Sequence, residues 1–542
     1  MFLQRTTSRR KKKTYVSWLV RESFRTAQGP RSRTVCNLSG LPEAVRELVG
    51  QALQGRPMAP VDELEISSAL DFGGLAVLRD GWDRLGLEAF LADIPSARQR
   101  GLLQAMIFAR LLFPCAKLAL AEQARGTLLA AACGLNQKTE SFNEDDLCEA
   151  MDQLNGRWVK LEKQLYRQAF PEAVSLALYD LTSVYFEGKG PQPMATYGYS
   201  RDHRGDRPQI LLAVVTDTEG TPIHMEVLRG NRGDTTTLQG LLWALRRRFG
   251  IREAVFVFDG GMSSHFNLQQ MEAGQLEYVT RLSAATLGKL LEELPRDQQP
   301  ELWDRTRIME VSDQGKRCVI AGGPWRQQRD AQRRRARLSK AEAKLKQLAS
   351  IRRRNVDSQK LASQAGRALQ QLKAHKYFHY RVDEKGELCW HRKSDLIEAE
   401  ERMDGWYVLQ TNLSVESCDG RQVVRHYKNL LEVEEAFCQL KSYLEVRPVF
   451  HWRPDRVRNH VRICFLAYWM SARLGRQWRQ QGEKGEVPRI LRELQTIRVG
   501  TLRVGNRLLG RKITQAPASL NGLLKKLDLL KLFAQLAAWA SV

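Results

Sequence analysis

Near Val174 the chain changes its hydrophobic period, and this limits its possible folds more than any other feature. Between residues 62 and 170 apolar residues recur every three or four positions, as in GWDRLGLEAFLADI and GLLQAMIFARLLF, the pattern of packed helices. From Val174 the period is two. In VSLALYDLTSVYF one strand face carries Val174, Leu176, Leu178, Asp180, Thr182, Val184 and Phe186. QILLAVVTD and PIHMEVLRG follow as two more strands, joined by the turn Thr218-Glu219-Gly220-Thr221. After a helical stretch over 237–249 comes AVFVFDGGMSS, a continuous apolar strand ending in Asp259 and Gly260-Gly261. A strand apolar on both faces must be covered on both, so it belongs at the centre of an α/β sheet. YVTRLS, from Tyr278, reads as a fifth strand.

Two acids interrupt this apolar framework. Asp180 lies in mid-strand on an otherwise apolar face, where a carboxylate is costly unless it is paired or holds a metal. A bond to backbone or to an arginine would also satisfy it. Asp259 lies at the C-terminal end of the central strand, where α/β sheets place their ligands. A helix N-cap is the other ordinary use of an acid there.

A third acid lies far downstream. Read as one helix, YKNLLEVEEAFCQLK carries an apolar stripe of Leu430, Val433, Phe437, Leu440 and Leu444. Tyr427, Glu434 and Lys441 are seven apart, so they share one face with about 20° of drift per step. The same stripe suits a solvated helix face. If the sheet is one unit, Asp180, Asp259 and Glu434 converge at its edge. Three carboxylates are hard ligands suited to Mg²⁺ or Mn²⁺. Two such ions about 4 Å apart activate a water or 3′-hydroxyl and stabilise the leaving oxygen in phosphoryl transfer. Tyr427 and Lys441 would then hold a phosphate.

The charge balance fits a polyanionic partner. The 542 residues hold 85 Lys and Arg against 61 Asp and Glu, a net charge of +24. Over half of it falls between Arg326 and Lys376, a long helix pair with Arg333, Arg334, Arg335 and Arg352, Arg353, Arg354 as its densest points. These six are candidate DNA contacts, and a solvated coiled-coil arm is the alternative. No apolar run approaches the roughly 18 residues that span a bilayer. The run at 15–20 is too short for a signal-peptide core, so no membrane partner is expected and a cytoplasmic, nucleoid-associated protein is. Nine scattered cysteines without a CxxC read as reduced thiols.

DLTSVYF, GYSRDHRGDRPQ, LRGNRGDTTTL, VFDGGMSS and YKNLLEVEEAFCQLKSYLEVRPVFHW resemble the DDE-type insertion-sequence transposases, whose signature is Tyr-x2-Arg-x3-Glu-x6-Lys. The resemblance spans most of 174–470. It implies that Asp180, Asp259 and Glu434 are the catalytic and metal-binding acids, and that Tyr427 and Lys441 are the signature Tyr and Lys that bind DNA. The signature Arg position holds Leu430. The implied fold is α/β, an RNase H-like mixed-sheet core interrupted by a β-plus-helical insertion domain, with a helical N-terminal module and a helical C-terminal tail. The expected boundaries are a basic segment 1–60, a helical DNA-binding module 61–170, core 171–285, insertion 286–404, core 405–475 and a helical region 476–542. The expected activity is cut-and-paste transposition with two Mg²⁺ or Mn²⁺ ions, by a homodimer on terminal inverted repeats and target DNA. A nuclease that does not join strands, and a catalytically decayed DNA-binding protein, are the rival readings.

Overall fold

The computed structural model describes residues 1–10, 13–55, 61–125, 127–135, 141–233, 237–293, 308–350 and 358–536. Arg352, Arg353 and Arg354 lie outside the described residues. The chain forms two compact units, Leu78–Arg125 with Cys133–Ile490, and Met1–Val77 with Gly126–Ala132 and Leu491–Val542.

The larger unit is built on one eight-stranded mixed sheet. Its strands are β1 (Leu176–Tyr185), β2 (Gln209–Thr216), β3 (Pro222–Arg229), β4 (Val255–Phe258), β5 (Glu277–Arg281), β6 (Ile308–Asp313), β7 (Lys316–Gly322) and β8 (Trp406–Thr411). Their spatial order is β6-β7-β8-β5-β4-β1-β2-β3. β1, β4 and β5 run parallel, and the remaining neighbours pair antiparallel. β4 therefore sits inside the sheet, as its apolar run requires.

Some helices pack on the sheet and some stand apart from it. They include α1 (Ala97–Leu112), α2 (Leu238–Ala244), α3 (His265–Ala273), α4 (Pro324–Ser350), α5 (Ser358–Gln371), α6 (Gly420–Lys428), α7 (Leu431–Cys438) and α8 (Pro454–Gln480). Ala177, Tyr179 and Leu181 of β1 pack with Phe256 and Phe258 of β4, Leu241 of α2 and Met271 of α3 in one buried cluster. Each such aromatic contributes about 2–3 kcal/mol by leaving water. The alternate residues of β1, Asp180 among them, face the other side, where α7 packs on β1 and β2. The stripe read from sequence is buried: Leu430, Val433, Phe437, Leu440 and Leu444.

Three expectations are corrected. First, β6 and β7 do not belong to a separate insertion. Cys318, Val319, Ile320 and Ala321 are buried, and β7 pairs with β8 inside the main sheet. The part that stands apart is residues 324–403, where Leu338, Leu345, Leu361 and Leu369 of α4 and α5 pack with Tyr377, Phe378 and Leu388 of a small hairpin. Second, 427–441 is not one helix. α6 ends at Lys428, α7 starts at Leu431, and a π-helical turn follows over Gln439–Tyr443. Short bonds from Leu430 N to Tyr427 O (3.1 Å) and Glu432 N to Asn429 O (2.9 Å) tighten the junction, so the seven-residue register fails there. Third, the C-terminal region is not all helical. Arg498–Val504 and Arg507–Ile513 form a hairpin, and the first of these strands pairs with Leu64–Asp71. Gly505 has a φ of +50° in the turn, where side-chain-bearing residues are disfavoured.

The N-terminal segment is a sheet. Phe2–Arg10, Lys13–Thr26 and Gly29–Asn37 form a three-stranded antiparallel meander. In the helical module, Arg98 binds Asp146 (3.1 Å), Arg100 binds Glu88 (2.8 Å) and Arg79 binds Asp83 (2.9 Å). Arg110 is buried on the carbonyls of Leu444 and Glu445. Among the described residues, no single helix is long and apolar enough to cross a membrane.

Candidate active site

Asp180 sits midway along β1, partly buried. Its Oδ1 accepts a hydrogen bond from Leu181 N at 2.7 Å. Burial pushes its pKa up to about 7 from an ordinary 3.8. The Leu181 bond and the nearby Arg201 oppose that rise, and the charges of Asp259 and Glu434 add to it.

Asp259 follows β4 directly in extended backbone, and its side chain caps no helix. The N-cap reading therefore fails. Instead Tyr427 donates its hydroxyl to Asp259 Oδ1 at 3.3 Å. A Cβ at Gly260 would lie 2.6 Å from the carbonyl oxygen of Arg281, so glycine allows the ends of β4 and β5 to approach closely. Glu434 lies on the exposed side of α7, beside buried Val433. Burial first, then the Asp259 charge, raises its pKa.

Each pair among Asp180, Asp259 and Glu434 thus feels mutual repulsion. Three acids separated by up to 254 residues of sequence lie within electrostatic reach of one another. As a donor set they fit a hard divalent cation: all oxygen, all anionic, and with a repulsion that a cation relieves. Their spacing is open. Among the described residues, no three His, Cys, Asp or Glu side chains close into a metal-holding cluster.

The other expected residues divide. Tyr427 is at the site, and burial and Asp259 hold its hydroxyl well above the usual phenol range. Lys441 Nζ, on the π-helical turn, forms an ion pair with Asp202 Oδ1 at 2.7 Å, and both side chains are nearly buried. Arg447 approaches the same carboxylate at 3.5 Å. Leu430 is buried. Arg333 and Arg335 are exposed, whereas Arg334 points inward. Arg334 donates to both Asp404 oxygens, at 2.6 and 2.5 Å, so its guanidinium fastens α4 to residue 404 and is not free for phosphate.

Sequence reading missed Arg201, Asp202, Arg281 and Arg326. Arg201 acts on Asp180, and Arg281 and Arg326 act on Tyr427. A detectable signal existed for Arg281, which ends the strand next to the one ending at Asp259. Asp202 and Arg201 lie in a loop with no periodicity to mark them.

Removing the Arg334 side chain leaves Asp404 without its main partner. Arg334→Ala should destabilise the protein by about 3 kcal/mol, the cost of breaking a buried ion pair. Arg333→Ala and Arg335→Ala should shift thermal unfolding very little. Equal shifts for all three would contradict the inward placement.

Residues 175–470 match the family model described as transposase DDE domain. Residues 3–56 match the model of the IS1634 family transposase N-terminal domain. The chain is similar to a solved piggyBac transposase synaptic complex with hairpin DNA, at 9% identity and a TM-score of 0.38, covering 74% of this chain and 70% of that one. It is also similar to a Mos1 transposase paired-end complex with left transposon end, at 13% identity and a TM-score of 0.15, covering 46% and 70%. No curated protein matches the chain.

Proposed function

We propose, for a chain that belongs to the transposase DDE domain family, that Asp180, Asp259 and Glu434 are the catalytic acids of a cut-and-paste DNA transposase. The enzyme acts on DNA by cleavage and strand transfer. The observation that supports the site assignment is the mutual repulsion of these three carboxylates, one in mid-strand on β1, one just after β4 and one on α7. The strand order β3-β2-β1-β4-β5, with only β2 reversed among its first neighbours, supports an RNase H-like core. β6 to β8 and residues 324–403 extend and interrupt it.

Members of the family use divalent metal ions, and Mg²⁺ or Mn²⁺, two ions by this reading, would supply activation of the attacking oxygen and neutralisation of the leaving one. Asp180, Asp259 and Glu434 would hold them. The rest falls to the chain itself. Tyr427 keeps the Asp259 carboxylate oriented through its hydroxyl. Water oxygen bonds to phosphorus at the element end while the bond to the 3′-oxygen breaks. The freed 3′-hydroxyl then bonds to phosphorus in target DNA, displacing a second 3′-oxygen. Lys441 reaches phosphate only if Asp202 releases it or turns with it. Terminal inverted repeats as the bound ends, and a homodimer holding both, complete the proposal.

A plasmid carrying the element in its native flanks, incubated with the protein, Mg²⁺ and a target plasmid, tests this. Joined products are expected. Nicks without joining would indicate a nuclease, and a gel shift without cleavage a DNA-binding protein. The exposed cations of residues 326–376 should also steepen salt dependence, since each phosphate contact adds about 0.9 to the slope of log affinity against log salt. Deleting the segment should flatten that slope, and an unchanged slope would remove it as a DNA contact.

A further inference from the structure

A cavity of about 590 Å³ has Glu434 on its wall, together with Tyr427, whose hydroxyl bonds Asp259. Arg281, Arg326 and Arg329 line it, together with Tyr407. Arg281 ends β5, and Arg326 and Arg329 stand on the first turns of α4, whose N-terminus also faces the cavity. The three guanidiniums are poorly matched by acid. Arg326 and Arg329 reach the carboxylate of Asp330 only at 3.9 and 3.7 Å, and Nε of each is buried without a hydrogen-bond partner. Asp330 also accepts from Gly405 N at 3.3 Å. Aromatic rings hold the two guanidiniums in place. Arg326 lies 4.7 Å from the Tyr407 ring centre and Arg329 4.9 Å from that of Trp325. Burial first, then the charge of Arg281, lowers the Arg326 pKa, and Asp330 opposes them only in part.

Leu430 is buried in the same cavity wall, at the position where the transposase signature has an arginine. We infer that Arg281, Arg326 and Arg329 form a phosphate-binding subsite for the DNA end, supplying from β5 and α4 the guanidinium that position 430 lacks. This rests on the reading of the three acids as the cleavage site. Planar guanidiniums lining the cavity match phosphate oxygens, and the helix N-terminus adds to the attraction. Glu434 shares the cavity with the three arginines, so a phosphate bound there would belong to the same DNA end.

The test uses duplexes covering the element end, each with one backbone phosphate replaced by a neutral methylphosphonate, and measures binding without metal. In the wild type, one linkage near the cut should weaken binding about tenfold when neutral, the effect of one charge-assisted hydrogen bond. Arg326→Gln and Arg281→Gln should each lose about tenfold on native DNA and become indifferent to that linkage. Arg326→Lys should recover part of the loss. Thermal midpoints near that of the wild type confirm that the variants are folded, and Arg329→Gln serves as a second variant where Arg326→Gln is not. Variants that stay as sensitive to the linkage as the wild type overturn the inference. So does a linkage whose effect follows Lys428→Ala instead, since Lys428 lines the same cavity. Asp180→Asn should keep the full linkage effect, so failure of the acid assignment and failure of this subsite give different results.

Discussion

Asp180→Asn, Asp259→Asn and Glu434→Gln should each lower DNA cleavage about 10³-fold or more while end binding stays largely intact. The size follows from the chemistry. Losing one anionic anchor removes several kcal/mol of charge stabilisation, and about 4 kcal/mol is a factor of about 10³ in rate. The three effects should not add, because the acids work as one unit and the first loss already disables it. Binding should survive because the cations proposed to contact DNA are other side chains: Arg281 and Arg326, which line the cavity, and Arg333 and Arg335, exposed on α4. Cleavage on an end-containing duplex with Mg²⁺, read beside a gel shift, checks both halves. Near-normal cleavage by any one variant would remove that residue from the site.

The metal-free protein should lose stability as pH rises from about 4 to about 7. Asp180 has a folded-state pKa of about 7 against an ordinary 3.8. In that window the folded protein holds a proton that the unfolded chain has released, so rising pH favours unfolding. Above about pH 7 both states are ionised and this contribution is flat. Three pKa units correspond to about 4 kcal/mol. Glu434 is raised as well and acts in the same direction. Asp180→Asn should therefore be more stable than the wild type at pH 8 and have a flatter profile. Mg²⁺ at pH 8 should raise the wild-type unfolding temperature and leave that of the Asn variant nearly unchanged. Thermal unfolding at several pH values decides it. A flat wild-type profile, or equal Mg²⁺ stabilisation of both proteins, would contradict the burial and repulsion described for Asp180.

Much of the core was legible because it obeys a short period. Alternation from Val174 located β1, and the fully apolar run before Asp259 located β4 in the sheet interior. The buried stripe from Leu430 to Leu444 was legible for the same reason. The long helices α4 and α5 were legible as a charged pair. What failed depended on distant partners or on local breaks in register. β7 is a seven-residue strand whose partner β8 begins 84 residues after it ends, and no local pattern shows that pairing. The junction at Asn429 and Leu430 left the apolar stripe uninterrupted, so the helix looked continuous while Lys441 moved onto a π-helical turn. Arg334 looked like its neighbours Arg333 and Arg335, and only the position of Asp404 turns it inward. The C-terminal hairpin carries arginines four and five residues apart, at 498, 503, 507 and 511, which breaks its strand period. Asp180 and Asp259 stood out as candidates because each interrupts or ends an apolar strand, and Glu434 because of its spacing from Tyr427 and Lys441. The arginines beside them interrupt no such pattern.

The most direct test of the shared site is Mn²⁺ binding at pH 8, followed by electron paramagnetic resonance, in the wild type and the three single variants. Tight binding in the wild type, sharply weakened by Asp180→Asn, Asp259→Asn and Glu434→Gln alike, is the predicted result. Wild-type affinity and stoichiometry in any one of the three would contradict it.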